Sequence, residues 1–127
     1  MADVNRGNRP LSPHIAIYRP QMTSASSIMV RITGISLLFF ALLVVWWLLA
    51  AATSETAFAF IDGLLTSWFG GLLLTLGVWA LWYHTLGRLR HVIFDFGYGL
   101  DVNVAETLGK GMFIGATVLT VLTLIVV

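Results

Sequence analysis

Residues 82 to 98 read Trp82-Tyr83-His84-Thr85-Leu86-Gly87-Arg88-Leu89-Arg90-His91-Val92-Ile93-Phe94-Asp95-Phe96-Gly97-Tyr98. They close a long apolar run, so the chain leaves a membrane here. His84 is still inside the apolar part, while Arg88, Arg90 and His91 stand where lipid gives way to water. On a helix, positions seven apart fall on nearly the same face. His84 and His91 are so related, and stepping back by sevens gives Gly77 and Gly70. One stripe therefore carries two glycines and two imidazoles. Two physical readings stay open. Small residues let a broad, flat group approach the backbone, and an imidazole can bind a metal at its centre, which makes a wall for a haem. A glycine stripe is equally how two transmembrane helices pack, with the histidine only hydrogen-bonding a neighbour.

Composition places the stretch in an integral membrane protein. Of 127 residues, 58% are hydrophobic and only 10% charged, against about 25% charged in a soluble domain, and the mean hydropathy is +0.91. Cysteine is absent, so this chain contributes no disulfide, thiolate metal ligand or thiol nucleophile. Residues 1 to 27 lack the apolar core of a secretory signal and do not resemble an acid-free transit peptide, so an unprocessed bacterial N-terminus is expected.

The sequence predicts an all-α protein with three transmembrane helices. Residues 1 to 26, with Pro10, Pro13 and Pro20, read as a cytoplasmic or interfacial arm that includes His14-Ile15-Ala16-Ile17-Tyr18. Residues 27 to 127 form the membrane domain, with spans near 28–53, 62–91 and 108–127. Ser24, Ser26 and Ser27 offer N-caps to the first span, which is uncharged from Ile32 to Ala52. Trp46 and Trp47 stand near its far end as interfacial anchors. Residues 53 to 62 read as a short loop carrying Glu55 and Asp62. The second span is uncharged from Gly63 to Gly87, and a hydrophilic connection with a Gly97/Gly99 turn follows, roughly 92 to 110. All the basic residues, Arg6, Arg9, Arg19, Arg31, Arg88, Arg90 and Lys110, fall on one side of this arrangement. The N-terminus is therefore expected in the cytoplasm and the C-terminus in the periplasm. His84 then lies about one helical turn (~6 Å) deeper than Arg88.

A second polar cluster shares the cytoplasmic level. Ser27, Arg31 and Gly34 are spaced i, i+4, i+7 and so share a face. A guanidinium there can donate several hydrogen bonds to an anion or a carbonyl. Arg31 is accordingly a candidate partner for a haem propionate or a quinone carbonyl, with Ser27 alongside. Positive-inside topology and a helix cap explain the same residues without a ligand. His91 is a propionate contact or an interfacial residue, and Asp95 reads as an ion-pair partner of Arg90 or Arg88, or else as a proton relay from the cytoplasm. Thr75, Thr117, Thr120 and Thr123 read as packing residues that bond back to their own helix. No phosphate-binding glycine loop, nucleophile–base pair or carboxylate pair appears within a span, which argues against hydrolase, nucleotide-binding and ion-pumping roles. No nucleic-acid partner is expected. No other histidine lies in a span, so a six-coordinate haem would need its second ligand from another chain.

Four segments line up in order: Arg9-Pro10-Leu11-Ser12-Pro13-His14-Ile15-Ala16-Ile17-Tyr18, Ser27-Ile28-Met29-Val30-Arg31-Ile32-Thr33-Gly34, Tyr83-His84, and Arg90-His91-Val92-Ile93-Phe94-Asp95. Together they resemble the cytochrome b membrane-anchor subunit of succinate dehydrogenase, respiratory complex II, over nearly the whole chain. The resemblance implies a multi-pass protein of the bacterial inner membrane. It would pair with a second small anchor subunit, and the two would hold a flavoprotein and an iron–sulfur subunit at the membrane. It also implies a haem b shared between the anchors, with His84 as this chain's axial ligand to the iron. Arg31, Arg88 and His91 are expected near the propionates, and Ser27 and Arg31 at the site where ubiquinone takes up electrons. Succinate chemistry itself belongs to the flavoprotein. The family commonly has histidine where this chain has Val30, and its glycine four residues after the ligand is here Arg88, with Gly87 one place earlier. Val30 makes a haem-free structural anchor the alternative, and a fumarate reductase-type anchor shares the architecture. A transporter subunit would need polar residues across the bilayer, whereas these spans are polar at one end only.

Overall fold

The computed structural model describes residues 17–127. They form four helices, α1 (Met22–Thr53), α2 (Glu55–Leu65), α3 (Trp68–Asp95) and α4 (Val102–Val126), and the described residues contain no strand. α1, α3 and α4 are long and apolar enough to cross a membrane. The all-helical class and the number of spans are as the sequence predicts, but the second spanning helix begins at Trp68 rather than near residue 62, because residues 62–65 belong to α2. Most of the proline-rich arm, with Arg6, Arg9 and His14, lies outside the described residues. At 1.5 Å per residue, the 32 residues of α1 measure about 48 Å, well beyond a hydrocarbon layer of ~30 Å.

The helix boundaries follow local chemistry. Pro20 precedes Gln21, which is extended, and α1 starts directly after it without a side-chain cap. Ser24, Ser26 and Ser27, expected as caps, therefore lie inside the helix. Ser54 breaks α1 by adopting an extended conformation, and its hydroxyl accepts the Ala57 N–H at 3.3 Å. With Glu55 in the first turn this starts α2, so the expected loop is a helix. Its charges had pointed to a loop, yet Asp62 is bound by Trp47, whose Nε1–H donates to Oδ1 at 3.2 Å. Trp47 also lies 5.9 Å from the Phe58 ring and Trp46 6.4 Å from Phe60, so α2 runs back along the last turns of α1 over a fully buried Ile61.

Ser67 caps α3 by accepting the Gly70 N–H. The connection to α4 is short, because both helices take up most of the hydrophilic stretch. Gly97 and Gly99 make the turn at φ 80° and 72°, where side chains are strained. Asp101 then caps α4 through the Asn103 N–H at 2.9 Å.

The three long helices meet around Val30, Tyr83, Met112 and Ala116. Tyr83 is fully buried, stacked on Trp79 at 5.1 Å and tilted against Phe113 at 4.7 Å. Thr75, Thr117, Thr120 and Thr123 each donate to the carbonyl four residues back, as expected. Thr117 and Thr123 also accept the indole N–H groups of Trp79 and Trp82. Arg90, expected at the lipid–water boundary, is instead an interior residue at 6% exposure. Its Nη1 donates to Ser26 Oγ of α1 at 2.9 Å and its Nη2 to the Ala105 carbonyl of α4 at 3.0 Å.

Candidate functional site

α1 and α3 each carry two stripes, one residue apart. On α1, Ser26, Val30 and Thr33 are buried in the bundle, and the stripe displaced by one residue is Ser27, Arg31 and Gly34. On α3, Tyr83, Gly87 and Arg90 are buried, and the displaced stripe is His84, Arg88 and His91. A step of one residue turns a helix by 100°, so both displaced stripes open onto the same side of the α1–α3 seam. There they line a groove of about 730 Å³. Ser27, Arg31, His84, Arg88 and His91 all face it, with Ile35 and Leu38 as its apolar wall. Among the described residues the groove lining contains no carboxylate, so its charged groups there are guanidinium and imidazole.

His84 is held in one orientation. Its Nδ1 is 3.0 Å from the Val30 carbonyl, which can only accept, so Nδ1 carries the proton. Arg88 Nε is 3.2 Å from His84 Nε2 and can only donate, so Nε2 presents its lone pair. The two contacts require the same tautomer. Thr33, bonded back to the Met29 carbonyl, stands 3.5 Å from Nδ1. Gly34 supplies the space for the ring, since a Cβ there would come within 2.8 Å of His84 Cε1. A neutral imidazole with Nδ1–H tied to a backbone carbonyl and Nε2 unprotonated is the form that binds a metal. The donor chemistry therefore fits a haem iron. His91 repeats half of the pattern, with Nδ1 2.8 Å from the Gly87 carbonyl.

Other expectations need correction. The Gly70 and Gly77 end of the histidine stripe is helix-packing surface. A Cβ on Gly77 would strike the Phe40 ring, and one on Gly70 the Leu64 and Leu65 carbonyls. Neither arginine expected beside Asp95 turns to it, since Arg88 bonds His84 and Arg90 bonds Ser26 and Ala105. Arg90 and Ser26 themselves were missed as an interhelical pair. The signal was present, because Tyr83 and Arg90 are also seven apart and define the stripe beside the histidines.

Comparison with known proteins gives the groove a context. The succinate dehydrogenase/fumarate reductase transmembrane subunit family matches residues 5–124. The succinate dehydrogenase cytochrome b556 subunit of Paracoccus denitrificans is 52% identical, over 99% of this chain and 97% of that protein. The cytochrome b560 subunit of Marchantia polymorpha is 34% identical over 93% and 90%. The cytochrome b556 subunit of Rickettsia conorii is 32% identical over 90% and 89%. With three apolar helices and the bacterial relatives of Paracoccus and Rickettsia, the chain is a multi-pass protein of the inner membrane that anchors complex II, and it belongs to the succinate dehydrogenase/fumarate reductase transmembrane subunit family.

Proposed function

We propose that the α1–α3 groove is this chain's half of a haem b site and adjoins a ubiquinone site, in an anchor that inserts with its N-terminus in the cytoplasm. The observation that carries the reading is the fixed tautomer of His84, whose unprotonated Nε2 stands in the groove and accepts from Arg88 there, a bond that a metal would replace. His84 Nε2 would ligate the iron, while the Val30 carbonyl holds the ring in orientation through Nδ1–H. Bound there, haem b supplies one-electron storage. Arg31 and Arg88 offer the positive charge that propionates need, with His91 beside them in the groove. With Nε2 on the iron the Arg88 hydrogen bond would be displaced, and the exposed Arg88 side chain would then be released to serve the propionates.

Ser27 and Arg31 share one face of α1 and would receive the quinone oxygen. Arg31 orients and polarises the carbonyl, and Ser27 adds a hydrogen bond. Succinate would be oxidised in the flavoprotein, with electrons arriving through the iron–sulfur subunit. A second anchor subunit would complete the groove and supply the other axial ligand, since His84 is the only histidine within the apolar part of a span. The exposed apolar face of α1, with Ile28, Ile35, Leu38 and Leu42, offers the surface for that subunit.

A reduced-minus-oxidised spectrum of the purified complex tests the reading. His84→Ala should abolish or weaken the b-type band while part of the complex still assembles. Unchanged haem content in that variant would refute the ligand assignment. Arg31→Ala should impair ubiquinone reduction more than succinate oxidation by an artificial acceptor. Equal losses in the two assays would move Arg31 from the quinone to assembly.

A further inference from the structure

Arg90 is a guanidinium inside a membrane bundle, at 6% exposure. Its contacts are Ser26 Oγ, the Ala105 carbonyl and the face of Phe94, 4.7 Å from Cζ. None of them is anionic, and its buried Nε has no hydrogen-bond partner. Burying such a group is costly, and an apolar side chain of similar size would hold three helices together at less cost. What an apolar side chain cannot do is fix rotation and register through directional bonds.

Those bonds converge on one residue of α1. Ser26 is fully buried. Its hydroxyl donates to the Thr23 carbonyl at 3.0 Å, which leaves its lone pairs to accept from Arg90. The Ser26 carbonyl also accepts the Tyr83 hydroxyl at 3.4 Å. Tyr83 and Arg90, one above the other on α3, thus grip both the side chain and the backbone of Ser26. The next residue is Ser27, and Arg31 lies one turn further along the same stripe. Holding Ser26 against α3 therefore fixes the direction in which Ser27 and Arg31 point.

We propose that Arg90 is a positioning residue for the quinone site, acting through Ser26 to set the rotation of α1 and so to aim Ser27 and Arg31 into the groove. This rests on the quinone-site reading of those two residues. A rotation of about 10° moves a side-chain tip at ~6 Å radius by about 1 Å, and a misplacement of that size can change a rate by as much as ~100-fold. Ser26→Ala removes the acceptor with little change in volume and substitutes no groove residue.

The test uses the purified holo-complex with a short-chain ubiquinone, comparing Ser26→Ala, Arg90→Lys and Ser27→Ala. Ser26→Ala should raise the ubiquinone KM by about 5- to 20-fold. Its artificial-acceptor rate should stay as in the parent. Arg90→Lys can reach one of the two acceptors and should fall between parent and Ser26→Ala. If Ser27→Ala raises the KM and Ser26→Ala does not, the positioning role is overturned and the quinone site stands. If neither raises it, both are overturned. A Ser26→Ala complex that assembles poorly but keeps the parental KM shows a purely structural bond and also overturns the proposal.

Discussion

Val30 and Gly87 show how one side chain can account for two departures from a family pattern. Where histidine is common, Val30 turns into the bundle at 5% exposure. A Cβ on Gly87 would collide with Val30 Cγ2 and come within 3.1 Å of the Met112 methyl. The glycine stands where the valine needs it, and the Val30 carbonyl still orients His84. Gly87→Ala is therefore expected to overpack the seam by about 1–3 kcal/mol. Val30→Ala in the same chain should recover most of that, because the two residues share one space. The temperature at which the complex loses its haem band measures both. Additive losses in the double variant would show that the two side chains do not compete. At this scale the sequence revealed the groove residues well, because the i, i+4, i+7 spacing of Ser27, Arg31 and Gly34 is a property of any helix. It could not rank two stripes one residue apart on α3. His84 drew attention as a metal ligand and His91 as a propionate contact, while the pairing of Tyr83 and Arg90 with Ser26 became visible only once α1 and α4 were in place.

α2 marks the limit of what composition says about elements. The three spans were legible because a membrane demands about 20 apolar residues in a run, and no neighbour is needed to read that. A short helix lying on another helix has no such signature. Glu55 and Asp62 looked like loop residues, although one begins a helix and the other is bonded to an indole. The element is held mainly by Ile61, fully buried beneath it. Ile61→Ala is expected to cost about 2–5 kcal/mol locally, enough to loosen α2 while α1 and α3 stay paired. Limited proteolysis checks this, with cleavage between Ser54 and Ser67 at a lower protease dose than in the parent. Equal resistance would mean that Trp47 and the ring contacts suffice to hold α2.

The register of the helices turns these local facts into an arrangement across a bilayer. Val30 and Gly34 meet His84, Phe40 meets Gly77, and Ser26 lies beside both Arg90 and Gly109. Arg31, Arg88 and Lys110 consequently stand near one level, and Trp47 and Trp68 near another. The sixteen steps from Arg31 to Trp47 rise about 24 Å along α1, most of the ~30 Å of a hydrocarbon layer. Every basic residue among those described is at the arginine end, and Glu55 and α2 are beyond the tryptophan end. Positive charge is retained in the cytoplasm, so α2 is expected to face the periplasm and the groove the cytoplasm, where an iron–sulfur subunit could deliver electrons. The absence of cysteine makes the test clean. Glu55→Cys, at an exposed position, should react with a membrane-impermeant maleimide added to intact spheroplasts, and Lys110→Cys should not. Labelling of Lys110→Cys in spheroplasts with Glu55→Cys protected would invert the chain. It would also leave the groove on the wrong side of the membrane for an electron donor in the cytoplasm.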